Sequence, residues 1–222
     1  RNYGLTDKQN AEKAAILVRT MGVKDMSPVD LRKFLAGKTL NVSVYMNAHD
    51  DGIEGTTSVK DFETFLQLTH LYFVQPRKDP GLFQSYVSSQ KSVLENMKAI
   101  PQAYFSDTLA KIQYGNSPWA GGLETVETYD RINLDRAMEI YRDVFGNAYG
   151  MHFTFVGNID VEKAKPLLET YLGSLPSKSK ENKFTDVGLR PVKGVVEAVV
   201  KKGMAKQSFG KVSFTGDATY SR

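Results

Sequence analysis

Residues able to carry chemistry are sparse among the 222 of this chain. There are three histidines, His49, His70 and His152, and no cysteine. None of the histidines belongs to a His-x-x-x-His, His-Glu-x-x-His or His-x-x-Glu-His spacing, so no two imidazoles sit one helical turn apart to grip a metal. Without cysteine, disulfide scaffolds, thiolate-bound zinc, iron–sulfur clusters and thiol nucleophiles are excluded from these residues, and the redox compartment stays open. His49 lies in a turn with Asp50, Asp51 and Glu54. That cluster could hold a hard cation but lacks the ligand spacing of a calcium loop, and it reads as a polar hairpin tip. His70 shares a helix face with Glu63 and Gln67, off the apolar stripe, and reads as solvated or at an interface. His152 alternates with Met151 and Phe153 on a strand pattern and reads as structural. No Gly-x-Ser-x-Gly elbow, Walker loop or Gly-x-Gly-x-x-Gly is present. Trp119, the only tryptophan, sits in the Asn116 to Gly122 loop as a core anchor or an interface residue, and the core reading is favoured.

The elements that would position these residues are well punctuated. Thr6 with Gln9 is a capping-box pattern before Ala11, Ala14, Ala15, Val18 and Met21 at helical spacing. Ser27-Pro28-Val29-Asp30 opens a second helix. At Leu40 the period drops to two. Leu40, Val42, Val44 and Met46 alternate with polar partners, and Ile53 to Thr57 returns after the turn. Ser58 and Asp61 cap a helix carrying Phe62, Phe65, Leu66, Thr69, Tyr72 and Phe73, stopped by Pro76. Further helices run from Pro80 to about Lys98, from Pro101 to about Gln113, from the Asn133 cap to Phe145, and from the Asp160 cap to Gly173. Met151 to Val156, Val195 to Val200 and Ser208 to Thr215 alternate as strands. Hairpins and paired helices without βαβ alternation predict an α+β fold, an antiparallel sheet with helices packed on one face.

Composition narrows the function classes. Apolar residues make 41% and charged residues 24%, ordinary for a globular chain and unlike a disordered tail, a fibre or a coiled-coil rod. No apolar run approaches the roughly 18 residues of a membrane span. The net charge of +4 is concentrated: Ser174 to Lys211 holds nine Lys/Arg against three Asp/Glu, while the remainder holds 20 against 22. A basic linker without interleaved aromatics does not predict a nucleic-acid groove. The chain opens on Arg1 without methionine and ends inside a strand-like run. It reads as an excised piece, so missing targeting signals say nothing about its parent.

From Val42 to Leu175 the order of elements resembles one half of a pitrilysin/insulinase-type (inverzincin, M16) zinc metallopeptidase. Leu40 to Asp61 looks like that family's central hairpin entering its main helix. Gln75-Pro76-Arg77 with Phe83 resembles its helix junction. Gln90 to Met97 followed by Tyr114-Gly115-Asn116-Ser117-Pro118 resembles its glutamate helix and following loop. Phe155 to Asp160, then Tyr171 to Pro176, is similar to its closing "v-G-n-v-d … y-l-G-s-L-P" pattern.

The resemblance implies a metallopeptidase half-domain of the LuxS/processing-peptidase kind. In the family's catalytic half a His-x-x-Glu-His helix binds Zn²⁺ and a later glutamate completes the site. The matching stretch here reads Ala14-Ala15-Ile16-Leu17-Val18, or one residue later to Arg19, and offers no ligand. Glu95 stands at the third-ligand position as a vestige. The resemblance thus implies the non-catalytic half, specifically the third of four homologous domains in a long single-chain bacterial member. No cofactor is expected in this segment, and zinc is expected in the parent's catalytic half. The expected domains are 1–175, a non-catalytic peptidase-like domain; 176–194, a linker; and 195–222, the first strands of a following homologous domain.

Family members close two halves around an unfolded peptide. The expected partners are therefore the catalytic N-terminal half of the same chain and a peptide substrate, with no nucleic acid and no membrane span. The family also suggests the periplasm of a Gram-negative bacterium. The alternative on the same fold is a non-enzymatic peptide-binding or scaffold protein, and a third reading is an unrelated α+β ligand-binding domain.

Overall fold

The computed structural model describes residues 3–98, 100–179, 184–204 and 207–216. Its elements are helices α1 (Lys8–Met21) and α2 (Pro28–Phe34), strands β1 (Leu40–Met46) and β2 (Asp51–Thr57), and helices α3 (Phe62–Val74), α4 (Pro80–Lys98), α5 (Pro101–Gln113), α6 (Val126–Asp130), α7 (Leu134–Phe145) and α8 (Val161–Tyr171). The fold is α+β. Its sheet is the antiparallel pair β1–β2, in which Val44 faces Ile53 and Leu40 faces Thr57.

Two units form along the chain. One comprises Arg1–Gln90 with Glu127–Phe184, the other Lys91–Val126 with Thr185–Arg222.

The core of the first unit is the packing of α1 against α7 and β1, with α3 against β1 and α8. Helix α7 buries Leu134, Ala137, Met138, Ile140, Tyr141, Val144 and Phe145, a broad stripe at i, i+3, i+4 and i+7 spacing. Helix α1 answers with Ala14, Ala15, Leu17, Val18 and Met21, whose small residues let the helices approach closely. A polar chain sets the register of this pair. Arg136 donates to Asp7 (2.9 Å), Asn10 donates to Asp7 (3.1 Å), and the buried Asn10 accepts the Asn133 N–H (2.8 Å). Asn133 in turn accepts from Arg136 N–H as the N-cap of α7. The Arg136 guanidinium and Asn10 amide hold the Asp7 carboxyl below its usual range.

The end of α3 shows how one proline shapes its surroundings. Pro76 has no N–H to give the Tyr72 carbonyl one turn earlier. The buried Tyr141 hydroxyl donates to that carbonyl instead, at 2.9 Å. The residues around Pro76 then lie along the end of α1. Arg77 N–H donates to Gly22 O (3.2 Å), its guanidinium donates to Met21 O (3.0 Å), and Lys24 N–H donates to Gln75 O (2.8 Å). Gly22 must be glycine there, with φ +89° and a would-be Cβ only 2.3 Å from the Met26 carbonyl.

Most predicted helices appear within a residue or two of expectation. At α2, Ser27 and Asp30 form the full reciprocal capping box. At α3, Ser58 accepts the Asp61 N–H and opens a single 3₁₀ turn. Four expectations are corrected. The first helix is flanked by Asp7, with no side-chain cap from Thr6. The short α6 was not foreseen. Met151 to Val156 forms no strand, although Phe153 and Phe155 lean on Phe73 and Phe62. Val195 to Val200 and Ser208 to Thr215 form no strand either. Alternation gives a segment the side chains of a strand, but the ladder needs a paired backbone, and none pairs with these segments among the described residues.

In the second unit, Val192 N–H donates to Gln113 O (2.9 Å) at the end of α5. The Lys202 ammonium lies 5.2 Å from the centre of the Tyr104 ring. Asp107 of α5 accepts from Lys111 (2.6 Å) and from Leu123 N–H (2.8 Å), tying down the loop before α6. Trp119 in that loop is half-buried.

Two stability outcomes follow. Replacing Tyr141 with Phe strands the Tyr72 carbonyl in the core, and chemical denaturation should show a loss of about 1–3 kcal/mol. Asp61 is buried, accepts Thr39 N–H (2.9 Å) and the Ser58 hydroxyl (2.7 Å), and is held below the usual carboxylate range by those bonds. Its stabilising contribution is therefore present at neutral pH and disappears as pH falls through its lowered folded value. The melting-temperature gap between wild type and Asp61→Asn should be widest at pH 7 and close on acidification. An unchanged gap would show that the charge plays no part.

Candidate functional site

The stretch that resembles a metal-binding helix lies in α1, and it is filled with core. Ala14, Ala15, Leu17 and Val18 are each at most 4% exposed. Ile16 is half-buried, and Arg19 turns outward to donate to Ser43 at 2.9 Å. These side chains offer no lone pair, and the α1–α7 packing leaves no space around them for a hydrated ion. Glu95 is exposed on α4. Among the described residues no three His, Asp or Glu side chains gather to hold a metal ion. The residues present do not fit zinc.

The three histidines go to two places. His70 is not free in solvent. Its Nδ1 lies 2.7 Å from the Tyr171 carbonyl at the end of α8, and the other residues of its helix face join the same contact. Gln67 donates to the Tyr171 hydroxyl (2.9 Å), which donates to Glu63 (2.9 Å). The polar face of α3 is thus the α3–α8 seam. His49 and His152 both border an open groove of about 1150 Å³ in the first unit.

The groove has two walls. One wall is the hairpin tip and the whole of β2, and the other is the run from Tyr149 to Asp160. Phe65, Phe73, Val144 and Phe145 line its apolar floor, and Asp50, Asp51, Glu54, Glu63 and Asp160 contribute carboxylates against the ammonium groups of Lys60 and Lys163. Burial, together with Asp50, pushes the Tyr45 phenol above its ordinary value. Lys163 binds Asp160 at 2.9 Å and holds that carboxyl low. Gly55 lets β2 sit close to β1 over Phe65, since a Cβ there would come 2.1 Å from Asn41 O and 2.7 Å from the Phe65 ring. The groove holds no nucleophile–base pair among its described residues. It offers backbone and an apolar floor, features of a binding surface.

Sequence reasoning identified each acidic and histidine residue of the groove singly. It could not join His49 to His152, because more than a hundred residues separate the two walls. The available signal was the alternation at Met151 to Val156, which marks a backbone built for pairing.

Residues 131–220 match the family model of the peptidase M16 inactive domain. No curated protein sequence matches the chain. Among the solved structures that share its fold are two proteases. The periplasmic protease PqqL from Escherichia coli superposes with a TM-score of 0.69 at 17% identity, over 86% of this chain and 21% of its own. The ferredoxin protease FusC, solved in complex with Arabidopsis ferredoxin, gives a TM-score of 0.62 at 16% identity, over 85% and 21%. This chain spans about a fifth of the length of either.

Dialysed against excess zinc and then buffer, the 222-residue chain should retain well under one equivalent by metal analysis, and Glu95→Gln should not alter that value. Retention of one zinc per chain, lost in Glu95→Gln, would mean that a site does assemble around this helix.

Proposed function

We propose that this chain, whose residues 131–220 match the family model of the peptidase M16 inactive domain, is the non-catalytic half of a zinc metalloendopeptidase that encloses an unfolded peptide between two halves. The observation that carries this reading is α1. Where the family's catalytic half would carry its metal ligands, this helix carries Ala14, Ala15, Leu17 and Val18, committed to packing. A helix cannot present two imidazoles to a metal and close a core with the same face. The half therefore contributes surface and closure, and zinc and the catalytic glutamate belong to the other half of a longer protein.

On this reading the chain divides as 1–175, an inactive peptidase-like domain; 176–194, a tether; and 195–222, the opening of a following homologous domain. The charge pattern supports a tether, since the basic surplus lies between Ser174 and Lys211. The partners are the catalytic half and an extended peptide. The setting proposed is the bacterial periplasm, where PqqL, one of the similar structures, resides.

The 222 residues alone should leave a quenched, unfolded peptide uncut. In the full-length parent, Glu95→Gln should keep kcat/KM within a few-fold of wild type, whereas deleting the residues of this chain should abolish cleavage and leave the zinc content intact. Full cleavage by the deleted protein would sink the enclosure reading. A full-length parent that neither binds zinc nor cuts peptide would point to a scaffold on the same fold.

A further inference from the structure

We draw no further inference here: the strongest candidate, the groove between β2 and the run from Tyr149 to Asp160, belongs to the site already described, and nothing in the structure shows what covers its apolar floor.

Discussion

The missing N–H of Pro76 organises much of the first unit. A helix ending in the core leaves carbonyls that must find donors, and proline removes the one donor that regular geometry would bring to Tyr72. Tyr141 of α7 fills that place, so α3 and α7 are fixed by a directional bond as well as by apolar packing. Burial holds the Tyr141 phenol well above its usual range, so it remains a donor throughout the range in which the protein would work. Arg77 then turns the residues after Pro76 onto the carbonyls of Met21 and Gly22, closing the end of α1. Two helix ends, those of α3 and α1, are satisfied at one junction.

That junction explains why α1 can be wholly structural. Its C-terminal carbonyls are occupied by Arg77, its inner face by α7 and β1, and its N-terminal turn by the chain from Asp7 through Asn10 to Asn133. Each contact fixes the orientation of Ala14, Ala15, Leu17 and Val18 towards the core. The proposed role as an inert half is a consequence of packing, since the face that would present ligands is the face that closes the unit.

Local chemistry was legible in the sequence and long-range pairing was not. The boundaries of α4, α5 and α7 could be read from Pro80, Pro101 and Asn133, because caps and N1 prolines act within one turn. The apolar stripe of α3 was equally plain. The role of Glu63, Gln67 and His70 was hidden, because a polar face looks solvated until a partner such as Tyr171 is known to lie 101 residues beyond His70. The same limit applies at Met151 to Val156, whose alternation states a capacity for pairing, while the backbone that would realise it is not written nearby. The groove is visible only once both its walls are in place, whereas the failed metal helix could be read at once from Ala14 to Arg19.

The first unit draws on two stretches of chain, and its central contact joins α1 to α7, helices separated by more than a hundred residues. During synthesis, Ala14, Leu17 and Val18 emerge long before Met138 and Tyr141. At roughly 5–20 residues per second, α1 waits on the order of ten seconds for its partner. Contacts this distant in sequence also close slowly once available. In that interval the apolar face of α1 is open to chaperones and to neighbouring nascent chains, so the yield of folded protein depends on how fast the ribosome reaches Phe145.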